Sequence, residues 1–137
     1  MLNDHNAIVA IPGWGFNSSL LDLFNQDPLH LVGWDYYSNN FDQSLEEITR
    51  NLAHQLQDHS MILGWSFGGL IAINLCALFP KKVHQLILIS TQPKFLADHD
   101  WQGIHPDQAK DFIKNLSCRP LEPVSYTHLT LPTMFEV

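Results

Sequence analysis

The sequence predicts an α/β fold built on a parallel sheet with flanking helices. Short apolar runs alternate along the chain with segments of helical periodicity, at distances typical of strand-helix-strand units. The apolar runs show no polar alternation, which indicates strands covered on both faces. Such units form a parallel sheet with right-handed crossovers, so we expect these runs to lie in one sheet.

The first predicted elements lie before residue 44. The apolar run from Ala7 to Ile11 predicts the first strand, and the run from Leu29 to Val32 predicts a weaker second one. Between them we expect a short helix, capped by Asn17 or by one of the two serines that follow it. Its expected buried residues are Leu20, Leu21, Leu23 and Phe24.

The period of the pattern changes at Ser44 to that of an amphipathic helix. Ser44 and Glu47 have the spacing of a capping box, which predicts where this helix begins. The apolar residues recur at helical intervals, so one face of the helix is expected to pack against the sheet. These residues are Leu45, Ile48, Leu52 and Leu56.

Four further elements are predicted after residue 59. Ser60 to Leu63 and Gln85 to Ser90 have the composition of buried strands. A strongly apolar helix from Leu70 to Phe79 lies between them, and Pro80 ends it. Pro106 to Leu116 predicts a last helix with proline in its first turn.

Composition and charge exclude several classes of function. The chain is 45% hydrophobic with a net charge of −7, as in a globular domain that would be repelled by nucleic acid or an anionic membrane. We see no spanning segment or leader peptide, and therefore expect a cytoplasmic protein. The two cysteines are expected to be reduced, with Cys76 as a small core residue. We expect no cofactor and no metal.

The motif Gly64-Trp65-Ser66-Phe67-Gly68 follows a predicted strand directly and opens the apolar helix. A Gly-x-Ser-x-Gly turn in this position strains the serine backbone and lifts its hydroxyl above the carboxyl edge of the sheet. The glycines are needed because side chains there would collide with the strand and the helix. The sequence therefore predicts Ser66 as a catalytic nucleophile.

Two backbone amides are predicted to stabilise a developing oxyanion. Phe67 N–H lies at the start of the helix, and Trp14 N–H lies in the Pro12-Gly13-Trp14-Gly15 turn after the first strand. Two alternatives stand beside this interpretation, since such a motif also arises by chance and glycines after a strand also serve nucleotide phosphates. The side chains of Trp14 and Trp65 could equally be packing groups or walls of a substrate pocket.

The motif, together with Phe79-Pro80-Lys81-Lys82-Val83 and Asp100-Trp101-Gln102-Gly103-Ile104, resembles the family of biotin-synthesis esterases that act on pimeloyl-[acyl-carrier protein] methyl ester. The resemblance runs from about residue 8 to about residue 117. It implies a partial α/β-hydrolase fold with the start of a helical lid, and hydrolysis of a small-molecule or carrier-bound ester through an acyl-enzyme. Ser66 would be the nucleophile, with Trp14 and Phe67 as oxyanion donors. The chain departs from the family in having Pro12 before Gly13, and in the segment 34–38.

By the same resemblance, residues 1–92 are the N-terminal part of the hydrolase core and residues 93–121 the start of the lid. Residues 122–137 are expected to be a non-native tail, because the segment 123–133 resembles one reading frame of a sequencing-library adapter. No later strand followed by an acid or a histidine is present. His84, His99 and His105 are expected to be structural or solvated. We therefore predict that the 137-residue chain has negligible esterase activity and folds poorly, with its last strand as an exposed apolar edge.

Two other functions remain open from the residues alone. One is a related hydrolase that acts on a small ester, a thioester or a carbon–carbon bond. The other is a non-catalytic binding module that keeps the fold. Labelling of Ser66 by a fluorophosphonate would separate the hydrolases from the binding module.

Overall fold

The structure, a computed structural model, describes residues 6–36 and 43–118. The chain divides into two compact units, Met1–Pro93 and Lys94–Val137. The expected tail, residues 122–137, lies outside the described residues. So does part of the segment 34–38, in which the chain differs from the family that it resembles.

The first unit contains a four-stranded sheet in which every neighbouring pair is parallel. The spatial order is β2-β1-β3-β4. This arrangement confirms the predicted α/β class. The strands are β1 Ile8–Ile11, β2 Leu31–Gly33, β3 Ser60–Trp65 and β4 Val83–Ile89.

The described residues form three α-helices. The first unit contains α1 Leu45–Gln55 and α2 Phe67–Leu78, and the second unit contains α3 Pro106–Cys118. The capping box at the start of α1 is confirmed. The Glu47 N–H donates to the Ser44 hydroxyl at 3.2 Å, and the Ser44 N–H donates to the Glu47 carboxylate at 2.7 Å. The reciprocal bonds satisfy amides that the helix itself cannot, which is why α1 begins there.

Apolar residues cover both faces of β1, as its continuous apolar sequence predicts. Val9 and Ile11 point to one face, where they meet Leu52 of α1 and Ile71 of α2 in the larger core cluster. Ala10 points to the other face, where it meets residues of a second, smaller cluster. Alternation of side chains along a strand therefore assigns both helices to one face of the sheet.

A polar link joins the two core helices. Thr49 is fully buried, and its hydroxyl donates to the Leu45 carbonyl at 2.7 Å. The Asn74 side-chain amide of α2 donates to the same hydroxyl at 3.0 Å. A buried hydroxyl costs free energy unless it is hydrogen-bonded, and these two bonds satisfy it.

The segment after β1 differs from the prediction. Ser18–Phe24 is a 3-10 helix, and Leu21 is its only buried residue. Leu23 is 68% exposed and Phe24 61%. The element has only two turns of about three residues each, so a single apolar side chain reaches the sheet.

Three other expectations need correction. β2 begins at Leu31, two residues later than predicted, and α2 begins at Phe67 rather than Leu70. Cys76 is only partly buried and does not belong to the buried core cluster, which includes its neighbours on α2 Ala72 and Leu75. The apolar composition of α2 does not indicate which residues face inward.

β4 also differs from the buried strand that its composition predicts. It lies at one edge of the described sheet, and Leu88 and Ile89 are 43% and 45% exposed. The separate expectation that the last strand forms an exposed apolar edge is confirmed for the described residues. Composition reports that a strand suits burial, but not whether a neighbour covers it.

Candidate active site

Ser66 lies in the turn between β3 and α2, at the carboxyl end of the strand. Its backbone has φ 52° and ψ −119°, a conformation that side chains other than glycine rarely adopt. Hydrogen bonds hold it on both sides. The Ser66 N–H donates to the Ile89 carbonyl at 2.9 Å, and the Ser66 carbonyl accepts the Gly69 N–H at 2.9 Å.

The glycines of the motif are required by close backbone approach. A Cβ on Gly68 would lie 2.3 Å from the Ile11 carbonyl oxygen, and one on Gly64 would lie 2.5 Å from the Gly69 Cα. Heavy atoms cannot approach this closely without a shift of the backbone. The start of α2 therefore lies directly on the ends of β1 and β3 because these side chains are absent.

The turn after β1 approaches Ser66 from the neighbouring strand. A Cβ on Gly13 would lie 3.3 Å from the Ser66 Cβ and 3.0 Å from the Trp65 ring. The Phe16 N–H donates to the Gly13 carbonyl at 3.2 Å, and Gly15 has φ +83°. Because glycine tolerates positive φ, the turn can fold back over the sheet. The structure thus brings the turn that contains Trp14 next to Ser66.

Aromatic side chains flank the two turns. The Phe16 and Trp65 rings lie 5.1 Å apart between centroids, and the Tyr36 and Phe67 rings lie 5.4 Å apart. Both distances are typical of favourable tilted ring pairs. Trp65 therefore packs against the β1 turn, so in this structure it serves as a packing group.

The start of α2 is electrostatically suited to an anion. The Ser66 hydroxyl forms no capping bond to α2. The first amides of a helix have no intrahelical acceptor, and Phe67 N–H is the first in α2. The helix dipole adds positive potential at the same point. A negative charge that develops beside Ser66 would therefore be stabilised.

The described histidines of the first unit lie toward the amino ends of the strands, away from Ser66. His30 and His59 directly precede strands, and His84 lies at the start of β4. His54 lies in the last turn of α1, and this helix runs antiparallel to the strands, so its last turn lies at the same end. In the register of the sheet, Trp65 pairs with Ile89. His84 is therefore five residues from the level of Trp65, the residue before Ser66, or about 16 Å along the strand.

An acidic residue at the carboxyl edge was missed by sequence reasoning. Asp35 follows β2 and accepts two hydrogen bonds from Ser18, from its backbone N–H at 2.6 Å and from its hydroxyl at 2.8 Å. The two residues are 17 apart in sequence, so no local pattern could indicate the pair. Only the pairing of β1 with β2 brings them together.

Lys82 holds the connection between α1 and β3. Its ammonium group donates to the Leu56 carbonyl at 2.8 Å and lies 3.0 Å from the Asp58 carboxylate. The hydrogen bond and the positive charge hold the pKa of Asp58 below its ordinary value. This ion pair lies at the edge of the sheet opposite Ser66 and is structural.

The second unit contains a loop that includes Trp101-Gln102-Gly103-Ile104. The Trp101 indole N–H donates to the Lys94 carbonyl at 2.8 Å, and a β-bridge joins Leu96 to Ile104. A Cβ on Gly103 would lie 2.5 Å from the Phe95 carbonyl oxygen, so the loop requires glycine there. α3 follows this loop.

Neither a metal centre nor a membrane span is found in the part of the chain that the structure describes. Within residues 6–36 and 43–118, no group of three or more His, Cys, Asp or Glu side chains could hold a metal ion. Over the same residues, no helix combines the length and apolarity needed to cross a membrane.

Sequence similarity agrees with the α/β fold described above. The sequence profile of the alpha/beta hydrolase fold matches residues 12–116. A pimeloyl-[acyl-carrier protein] methyl ester esterase from Wigglesworthia glossinidia brevipalpis is 36% identical, over 80% of this chain and 44% of the relative. A protein of the same name from Salmonella heidelberg (strain SL476) is 33% identical, over 80% of this chain and 46% of the relative. The chain therefore spans somewhat less than half the length of these relatives.

Proposed function

Because the chain belongs to the alpha/beta hydrolase fold family, we propose that Ser66 is the nucleophile of a serine carboxylesterase. The observation that carries the proposal is the backbone of Ser66, with φ 52°, between a central parallel strand and the start of α2. Such a conformation costs about 1–3 kcal/mol and persists where surrounding structure holds it, commonly at active sites. The carboxyl edge of an open parallel sheet is also where ligands bind.

The proposed reaction is ester hydrolysis in two steps. The Ser66 oxygen forms a bond to the ester carbonyl carbon as a base takes its proton, and the carbonyl electron pair moves to oxygen. When the carbonyl re-forms, the bond to the alcohol oxygen breaks and the protonated base returns a proton to it. Water then attacks the acyl-enzyme in the same manner, which releases the acid and regenerates Ser66.

We assign the oxyanion hole to the N–H groups of Phe67 and Trp14. Phe67 N–H lies at the N-terminus of α2. Trp14 directly follows Gly13, which lies close to Ser66. Donors aimed at the oxyanion stabilise the transition state more than the neutral ester. The loss of one such donor typically costs about 3–4 kcal/mol.

A histidine base and an acid must complete the site, since a serine hydroxyl is a weak nucleophile at neutral pH. The described histidines of the first unit lie toward the opposite edge of the sheet, as the position of His84 illustrates. We therefore propose that the base and the acid come from residues beyond the described part of this unit. The relatives contain such additional sequence, because the match covers only 44–46% of their lengths.

The proposed substrate is a pimeloyl-[acyl-carrier protein] methyl ester, and the products are pimeloyl-[acyl-carrier protein] and methanol. This proposal takes its support from the names of the relatives, at 33–36% identity over 80% of this chain. It places the protein in biotin synthesis, with an acyl carrier protein as the partner that presents the ester.

Two forms test the nucleophile: the full-length polypeptide expressed from the encoding gene, and the 137-residue chain. In the full-length form we expect a fluorophosphonate to attach to Ser66, located by mass spectrometry, and p-nitrophenyl acetate turnover to disappear in Ser66→Ala. In the 137-residue chain we expect negligible turnover. Full-length protein without labelling would favour a non-catalytic binding module and reject the esterase.

Methanol release tests the substrate. We expect pimeloyl-[acyl-carrier protein] methyl ester to be hydrolysed with a higher kcat/KM than the same ester without the carrier protein. The Ser66→Ala variant is the matched control for background hydrolysis. Ser66-dependent turnover of p-nitrophenyl acetate without methanol release from the carrier-bound ester would retain the hydrolase and reject this substrate.

A further inference from the structure

The carboxylate of Asp35 clamps the segment that leads away from the β1 turn. One carboxylate oxygen accepts the Ser18 backbone N–H at 2.6 Å, and the other accepts the Ser18 hydroxyl at 2.8 Å. Two bonds to the two oxygens of one carboxylate restrict rotation as well as distance. Ser18 is also the first residue of the 3-10 helix, whose N-cap is Asn17, so the clamp lies at the start of that helix.

Asp35 itself is held by the sheet. The N–H of the preceding residue, Trp34, donates to the Ala10 carbonyl of β1 at 2.9 Å. The Trp34 indole N–H donates to the Gln55 side chain of α1 at 3.3 Å. A Cβ on Gly33 would lie 2.2 Å from the Ser18 Cβ, so glycine is needed for Ser18 to come this close. The residue before Asp35 is therefore held by both β1 and α1.

The other end of the segment contacts the candidate nucleophile. Gly13 lies against Ser66 and Trp65, and the Phe16 ring packs on the Trp65 ring. The stretch 13–18 is thus attached to the nucleophile turn at its start and to Asp35 at its end. Trp14 lies between these two attachments.

We propose that Asp35 is a positioning residue, which holds the turn that contains Trp14 in place beside Ser66. The inference rests on the proposed function, because it assigns the purpose of the clamp to the Trp14 oxyanion donor. In this role Asp35 acts through Ser18 and the β1 turn, not by contact with the substrate. An oxyanion donor is effective only about 2.7–3.1 Å from its target, so release of the clamp should affect the transition state before it affects the fold.

The test compares Asp35→Ala, Asp35→Asn and Asp22→Ala in the full-length polypeptide. Asparagine keeps an acceptor for the Ser18 N–H and can donate to its hydroxyl, so it should rescue the function that alanine loses. Asp22→Ala is the matched control, because it makes the same charge change at an exposed position of the same 3-10 helix. The readouts are kcat and KM for p-nitrophenyl acetate, the Tm, and amide hydrogen exchange at Trp14 and Ser18.

For Asp35→Ala we expect a fall in kcat of at least about tenfold with KM little changed. Exchange at Trp14 and Ser18 should accelerate, whereas Asp35→Asn and Asp22→Ala should behave like the unchanged protein. Unchanged kcat in Asp35→Ala, with turnover still dependent on Ser66, would overturn the inference and leave the esterase intact.

Absence of Ser66-dependent turnover in the unchanged protein would reject the proposed function. The exchange arm then decides the positioning role by itself. Faster exchange at Trp14 in Asp35→Ala, with protection in Asp35→Asn, would support the clamp. Equal protection in all variants would overturn it.

Discussion

Replacement of Gly68 by alanine tests whether close contact between α2 and β1 forms the nucleophile turn. The added Cβ would lie 2.3 Å from the Ile11 carbonyl oxygen and 2.5 Å from that of Pro12. Ordinary contact begins near 3.4 Å, so the start of α2 must move by about 1 Å. The opposing atoms belong to the backbone of β1 and of the residue that follows it, and they cannot rotate away as a side chain could.

Two consequences of this displacement can be measured. Overpacking of this kind costs about 1–3 kcal/mol, which would lower the urea midpoint by about 1 M in a domain of this size. A displacement of about 1 Å at the nucleophile would reduce turnover by about 100-fold. We expect both effects in Gly68→Ala, measured by tryptophan fluorescence in urea and by hydrolysis of p-nitrophenyl acetate in the full-length polypeptide.

Gly15→Ala is the matched control for this experiment. A Cβ at Gly15 has no atom within 4 Å, but the residue has φ +83°. This variant should therefore lose only about 1 kcal/mol through backbone strain, without a steric displacement of α2. A Gly68→Ala protein with unchanged stability and turnover would refute the packing argument.

Three further predictions concern the core, the capping box and the histidines. Leu75 is fully buried, so Leu75→Ala should cost about 2–5 kcal/mol in urea unfolding, whereas Leu78→Ala, at a position 45% exposed, should cost much less; equal losses would contradict the assigned core. Hydrogen bonds from Ser44 hold the pKa of Glu47 below its ordinary value. The stabilisation that these bonds provide is present at neutral pH and disappears as the pH falls below about 4. The unfolding free energy of Glu47→Gln should therefore change less over that range than that of the unchanged protein, and identical pH profiles would contradict this. His84→Ala should leave kcat unchanged, because His84 lies at the far end of β4; a large fall in kcat with unchanged stability would show that a catalytic base had been misidentified.

Predictions succeeded where the signal was local. The capping box at Ser44 and Glu47 depends on a spacing of three residues, and the bonds form within one helical turn. The strand-turn-helix context of the Gly-x-Ser-x-Gly motif is equally local, and Ser66 has the positive φ that such a turn requires. Both features could be inferred because the interacting groups are close in sequence.

Predictions failed where burial depends on neighbours distant in sequence. The leucines of the 3-10 helix and the apolar residues of β4 have the composition of core residues, yet Leu23, Phe24 and Leu88 are exposed. Hydropathy indicates that a side chain is suited to burial, but the layers of structure that pack over the side chain decide how exposed it is.

By itself, the sequence determined the parallel α/β class, the start of α1 and the position of the candidate nucleophile. The tertiary structure alone decided that Asp35 meets Ser18, and that the described histidines of the first unit lie toward the amino ends of the strands, away from Ser66. The physical reason is the range of each interaction. Helix caps and strained turns form between neighbouring residues, whereas the composition of a site depends on strand order and register, which long-range packing selects.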